Sequence, residues 1–180
     1  MQSRRLFTNP SSTLLTLISG GQTGVDRGAL DAALDLGVPC GGWCPAGRGD
    51  EVGRIPDRYP VRELPQGGYK ARTIRNLLEA DGTLILYFGA LEGGTELTAL
   101  NCMKYRRPYR LIDGWEIPPE RAAEMVRAFV VEANLRSLNV AGPRASRRPE
   151  GQAYAYETVC CLLKLLNATG TSRPQAVEVF

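Results

Sequence analysis

Three stretches of this 180-residue chain carry residue types suited to holding an anion. The first is Ser19-Gly20-Gly21-Gln22-Thr23-Gly24, which follows the apolar run 14–18 and precedes a helical pattern. Glycines at such a junction let the backbone turn sharply and approach a ligand closely. The unpaired N–H groups and the dipole at the helix start then attract negative charge. Thr23 adds a hydroxyl. Asp26, in the first helical turn, can cap amides, bind a ribose hydroxyl or act as a base. The spacing is neither the G-x-G-x-x-G of dinucleotide folds nor a P-loop with its lysine. A tight strand-to-helix turn with no ligand would use the same glycines.

Gly93-Gly94-Thr95-Glu96 repeats this logic after the most apolar strand pattern in the chain. Glu96 either opposes the helix dipole or serves as a catalytic acid. The third stretch, Gly142-Pro143-Arg144-Ala145-Ser146-Arg147-Arg148, gathers three arginines and a serine before the last helix. Arg144 and Ser146 are its anion-binding candidates; a subunit contact or a solvated basic loop are the alternatives. Between these stretches, Arg72 and Arg75 lie on the polar face of one helix. Arg75 has Glu79 at i+4, an ordinary surface pair, whereas Arg72 has no such partner and is the better phosphate contact.

Composition removes several chemistries. The chain contains no histidine, so Ser-His-Asp and Cys-His machinery and two-histidine zinc motifs are absent. Its five cysteines lie mostly in apolar contexts, which fits reduced, buried thiols in a cytoplasmic protein. Cys40 and Cys44 form one C-x3-C pair with no second pair nearby, so we expect no directly ligated metal. A net charge of +3 without an aromatic-rich basic face argues against nucleic acid. No apolar run approaches the roughly 20 residues needed to span a bilayer, so no membrane partner is expected.

The elements that must position these residues follow from periodicity. The run 14–18 is a strand buried on both faces. Leu30, Ala33 and Leu34 mark a helix closed by Gly37, and 38–43 reads as a strand. Residues 45–69, rich in Gly, Pro and charge, read as a long loop in which Asp57-Arg58-Tyr59-Pro60 could form a lid over the crevice. Ile74, Leu77 and Leu78 mark the next helix, and 83–88 is the clearest strand. A helix follows from 93 to about 105, then a strand at 109–112. An amphipathic helix carries Ala122, Met125, Val126, Phe129 and Val130. A strand at 137–140 and a helix with Ala155, Val159, Leu162, Leu163 and Leu166 complete the pattern. Such alternation predicts an α/β, Rossmann-like three-layer sandwich: a mostly parallel sheet of about five or more strands, with helices on both faces. The expected organisation is a lead at 1–13, one ligand-binding domain at 14–167 and a polar tail at 168–180. In such sheets ligands sit beyond the carboxyl ends of the strands, where the three glycine-bearing turns would converge.

The ordered segments ISGGQTGVDRGALDAAL, GGWCPAGR, IPDRYPVRELP, ARTIRNLLEADGTLIL, GGTELT and LNVAGPR span about residues 14–166. They resemble the family known as "putative molybdenum carrier proteins". That family is similar to the molybdenum cofactor carriers and YpsA-like proteins, in a Rossmann-like superfamily shared with the lonely-guy phosphoribohydrolases. The resemblance implies a carrier for a small phosphorylated, nucleotide-like ligand. Its cargo would be molybdenum cofactor (molybdopterin) or a related molybdopterin nucleotide, with the cofactor supplying its own sulfur ligands. It also implies a homo-oligomer, dimer or tetramer. Gly20, Gly21, Gln22, Thr23, Gly24, Arg72, Gly93, Gly94 and Thr95 would then hold the ligand together with Arg144 and Ser146. Two other activities occur among the relatives: hydrolysis of a nucleotide N-glycosidic bond and nucleotide sensing. The phosphoribohydrolases place an arginine nine residues before the aspartate that precedes the central strand, which corresponds to Arg72 before Asp81. Their catalytic glutamate falls on Thr98 in this chain, so hydrolysis would need Glu96 or Asp26 as its carboxylate.

Overall fold

Strand β1 (Thr16–Ile18) enters a six-stranded sheet made of residues scattered over most of the chain. In the computed structural model, residues 15–170 are described. The expected lead at 1–13, and most of the expected tail, lie outside them. After β1 come α1 (Val25–Asp35) and β2 (Cys40–Cys44). Two short strands, β3 (Gly49–Asp50) and β4 (Gly53–Arg54), then pair antiparallel as a hairpin, followed by β5 (Val61–Glu63). The chain continues through α2 (Tyr69–Glu79), β6 (Gly82–Tyr87), α3 (Gly93–Lys104) and β7 (Tyr109–Asp113). It ends with α4 (Pro119–Glu132), β8 (Ser137–Ala141) and α5 (Gly151–Gly170), so the last helix overlaps the start of the expected tail.

The sheet order is β5-β2-β1-β8-β6-β7, and every pairing within it is parallel. The last strand therefore lies in the middle, with Leu17 opposite Leu138 on one side and Leu84 opposite Val140 on the other. Parallel strands need both faces covered, and alternation along β6 shows how this is done. Leu84 and Leu86 join the larger core with Val25 and Ala29 of α1, Val126 of α4 and Val159 and Leu162 of α5. Ile85 points the other way, into a cluster with Leu77 of α2 and with Ala99 and Cys102 of α3. The result is the expected three-layer α/β sandwich, with α1, α4 and α5 on one face and α2 and α3 on the other. The α5 stripe faces this core. Leu34 and Leu78, in contrast, are exposed, although their spacing placed them with apolar neighbours.

The segment 45–69 differs from expectation. It holds the hairpin and the edge strand β5, and it packs on its own small core of Leu30, Cys44, Ile55, Tyr59 and Val61. Its organiser is Arg48, which is buried and left-handed (φ 53). The Arg48 guanidinium donates to the carbonyls of Ile55, Val61, Pro56 and Tyr59. A single cation thus satisfies carbonyl groups that a tightly curled loop leaves without partners. Tyr59 is buried and donates its hydroxyl to Asp31 of α1 at 2.9 Å. Residues 57–60 are therefore fastened to α1 and do not form a lid over the cleft.

Gly24 fixes the approach of the third loop to α1. It has φ +80, and a Cβ there would lie 2.5 Å from the Pro143 carbonyl oxygen and 2.7 Å from the Ala145 nitrogen. Both obstacles are backbone, so neither can rotate aside. Gly24→Ala should therefore cost about 2 kcal/mol or more of folding stability, combining left-handed strain with the clash. Urea unfolding of the variant, matched with Gly37→Ala in open space, measures it. Equal losses in the two variants would exclude the close approach as the cause.

Candidate functional site

Three strand ends frame one cleft of about 810 Å³. After β1 it is lined by Gln22 and Asp26, and after β6 by Tyr87, Phe88 and the Gly93-Gly94-Thr95 turn. Asn139 of β8 and the loop from Ala141 to Arg148 form a third side. Helix α2 closes the fourth with Tyr69, Lys70, Arg72, Thr73 and Asn76. The expected convergence of glycine-bearing turns is present geometrically. Glu96 is exposed and lies outside the lining of this cleft.

The first turn differs in detail from a vacant anion loop. Several of its amides already have acceptors within the protein. Gln22 N–H donates to Asp26, Thr23 N–H to Gln22 Oε1 at 3.0 Å, and Val25 N–H to the Pro143 carbonyl. Thr23, buried, donates its hydroxyl to Glu51 and accepts from Ala145 N–H. The glycines here admit protein groups. A Cβ on Gly20 would fall 1.8 Å from a nitrogen of the Arg72 guanidinium, and one on Gly21 (φ +74) would press on Ile55. Gly20, Gly21, Thr23 and Gly24 accordingly shape the floor from beneath, while Gln22 and Asp26 face the cleft.

Arg72 and Asp26 form the floor's central ion pair, Nη1 to Oδ2 at 2.8 Å. Asp26 is 3% exposed and the Arg72 side chain 14%. Burial pushes the Asp26 carboxyl above its ordinary value, while the Arg72 charge and the Gln22 and Gly20 amides pull it back. Asp26 is thus a partner for a cation rather than a free base. Arg72, left without an i+4 partner by its own helix, finds one on the opposite face of the sheet. Two buried donors nearby, Arg72 Nε and Gln22 Nε2, have no acceptor among the described residues.

The cleft is cationic. Lys70, Arg72, Arg144, Arg147 and Arg148 line it against the carboxylates Asp26 and Glu92. Arg144 stacks over Tyr69 with its guanidinium carbon 5.1 Å from the ring centre, and its Nε stands 3.9 Å from Glu51. Arg148 reaches the Phe88 carbonyl and faces Glu92 at 3.6 Å, with Trp115 beneath it. Lys70 and Arg147 form no ion pair among the described residues. Ser146 is tied to Glu51 through both its hydroxyl and its N–H. At the second turn, a Cβ on Gly93 or Gly94 would meet nothing within 4 Å, so this helix start is uncrowded, while Thr95 and Glu96 N–H donate to the Glu92 carbonyl. Thr95 is buried beside it, and Thr98 bonds its hydroxyl back to the Gly94 carbonyl at 2.9 Å.

Some of these residues carried no signal in the sequence. Asn76 is buried and holds Trp43 by both backbone groups, accepting its N–H at 2.7 Å and donating to its carbonyl at 3.0 Å. It anchors α2 to β2 and so sets where Arg72 stands. Glu51 and Lys70 belong to segments with no motif, and Asn139, although within LNVAGPR, sits in an apolar strand pattern. Arg147 and Arg148 were visible as charge, but nothing in the spacing indicated which arginine would remain unpaired.

The buried pair gives a direct test. Arg72→Met keeps the stem and removes the charge, leaving Asp26 buried without its cation, and should cost about 3 kcal/mol. The double variant with Asp26→Asn should recover most of that loss. Urea unfolding of the three proteins decides the matter, and strictly additive losses would exclude coupling between the two side chains.

A family model described as "Circularly permutated YpsA SLOG family" matches residues 17–163. A crystal structure of a "Putative molybdenum carrier protein" from Syntrophus aciditrophicus SB superposes with a TM-score of 0.81 at 41% identity. That match covers 84% of this chain and 96% of the other. Among curated proteins none matches. The family match extends from within β1 into α5 and thus takes in all three strand-end turns of the cleft. The chain belongs to the circularly permutated YpsA family of the SLOG group.

Proposed function

We propose that this protein binds a small phosphorylated, nucleotide-like ligand in the cleft and acts as its carrier, with molybdenum cofactor or a related molybdopterin nucleotide as cargo. The carrying observation is the imbalance of charge: five cations against two carboxylates, with Lys70 and Arg147 free of ion pairs among the described residues. The open start of α3 at Gly93-Gly94 lies in the same cleft, where amide N–H groups and the helix dipole favour an oxyanion. Arg144 and Thr95 border this anion-binding end. At the floor, the unpartnered amide of Gln22 suits an acceptor atom on the remainder of the ligand. Tyr69 and Tyr87 supply apolar surface for a ring.

Carriage suits these residues better than hydrolysis. Of the carboxylates proposed for bond cleavage, Asp26 is held by Arg72 and Glu96 stands outside the cleft. The position corresponding to the relatives' acid is Thr98, whose hydroxyl is occupied by a carbonyl. The name of the crystallographic neighbour supports a molybdenum-containing cargo. Among the described residues no three metal-ligating side chains gather, so the cargo would retain its own metal ligands. A cytoplasmic setting fits the five unpaired cysteines. The exposed Leu100 and Met103 on α3 fit assembly into a homo-oligomer.

Calorimetric and thermal-shift titrations with GMP, AMP, molybdate and molybdopterin test the proposal. At least one nucleotide or pterin phosphate should bind. Lys70→Glu and Arg147→Glu should each weaken that binding about tenfold at low salt, with less effect as salt rises. A panel with no binder at millimolar concentration would overturn it.

A further inference from the structure

We propose that Glu51 is a built-in counter-anion, seated at the start of α1, which latches the arginine loop 143–148 to the first glycine turn. Glu51 sits in the two-residue tip of the β3–β4 hairpin, a segment with no anion-binding motif. Its carboxylate accepts the hydroxyls of Thr23 and Ser146, together with Ser146 N–H at 3.1 Å. Arg144 Nε stands 3.9 Å away, and the Glu51 side chain is 12% exposed. Two hydroxyls, an amide and a guanidinium beside a helix start are the partners an external oxyanion would receive. Here one negative charge from the protein receives them.

The hairpin is fixed well enough to carry such a latch. Asp50, beside Glu51, is fully buried and paired with Arg27 of α1, and it accepts Val52 N–H at 2.9 Å. Glu51 N–H donates to Gln22 Oε1 at 3.1 Å, and Arg48 holds the following residues by their carbonyls. Besides this, Val25 N–H donates to the Pro143 carbonyl at 3.2 Å and Ala145 N–H to the Thr23 hydroxyl at 3.2 Å, both near the base of the loop. Glu51 is therefore the side chain that sets where Arg144 and its neighbours Arg147 and Arg148 stand on the cleft. It also turns a ligand's charged group away from the first turn and toward the open start of α3.

The charged groups facing Glu51 are Arg144 and, through its neighbour Asp50, Arg27. Partial burial raises the Glu51 carboxyl, but the Ser146 and Thr23 hydrogen bonds and Arg144 outweigh it and hold the group below its ordinary value of 4.5. A carboxyl depressed in the folded state contributes stability above its unfolded pKa and loses it as pH falls through the folded one. The latch is thus closed at neutral pH and opens only in acid below the usual glutamate range.

Hydrogen exchange on the intact chain tests the latch without any nucleotide, so its failure is separable from failure of the carrier reading. In phosphate-free buffer, Glu51→Ala should speed exchange across 143–148 about tenfold or more, while the sheet amides stay protected. Millimolar inorganic phosphate should restore protection in Glu51→Ala by filling the vacated cradle, and should leave the wild type unchanged. Glu51→Gln keeps the shape but loses the charge; it should loosen the loop and gain nothing from phosphate. If Glu51→Ala folds poorly, Ser146→Ala, which removes one donor, should still loosen the loop partially. Wild-type protection of 143–148 in Glu51→Gln and Ser146→Ala would overturn the proposal. So would an equal response to phosphate in wild type and Glu51→Ala.

Discussion

The buried pair of Arg72 and Asp26 joins the two halves of this molecule where the sheet itself cannot. Asp26 belongs to α1 on one face and Arg72 to α2 on the other, and they meet beyond the end of β1 at 2.8 Å. Elements on opposite faces of a sheet can touch only past its edges or its strand ends. Removing either charge would leave the other buried and unsolvated, so the pair constrains both helices together. Much of the local sequence is arranged around it. Gly20 leaves room for the guanidinium, Asn76 fastens α2 to β2, and the Gln22 amide supports the carboxylate.

Around this centre, each glycine-bearing turn has a different use of its donors. At the first, protein acceptors take the amides and Glu51 takes the hydroxyl of Thr23. At the third, Ser146 is drawn back to the same carboxylate, which leaves the arginines to point at the cleft. The second is open. Three similar motifs in sequence therefore become one filled position, one latch and one uncrowded helix start. Electrostatic potential follows this division: the negative charges of Asp26 and Glu51 lie on the α1 side, and the unpaired Lys70 and Arg147 border the space near α3. A ligand with an anionic end and a flat ring would gain most by placing the anion toward α3 and the ring over Tyr69 or Tyr87.

The segment 45–69 shows why sequence patterns fail where burial is achieved by hydrogen bonding. Its glycines, prolines and charges read as a long loop with no core of its own. Arg48 inverts that reading by satisfying carbonyls internally, which lets Ile55 and Tyr59 be buried in a small core. The strand β5 has one buried residue, Val61, followed by exposed Arg62 and Glu63, so it offers no alternation to detect. Its neighbour β2 is paired for only part of its length with β1, and the edge strand completes the ladder.

Local periodicity by itself determined the elements outside 45–69, the layer architecture and the three turns that frame the cleft. Strand and helix repeats register burial directly, and burial on both faces leaves a parallel sheet as the remaining arrangement. The family, too, was legible in short motifs spread across the domain. Tertiary structure alone decided which donors remain free. The turn Ser19–Gly24 has the composition of an anion loop, yet its vacancy depends on Glu51 and Pro143, which are distant in the chain. Glu96 and Arg72 were both site candidates in sequence, and only packing put one outside the cleft and gave the other a partner. A motif specifies the groups it contributes, but their occupancy depends on every neighbour within hydrogen-bonding reach, and those neighbours come together only in the fold.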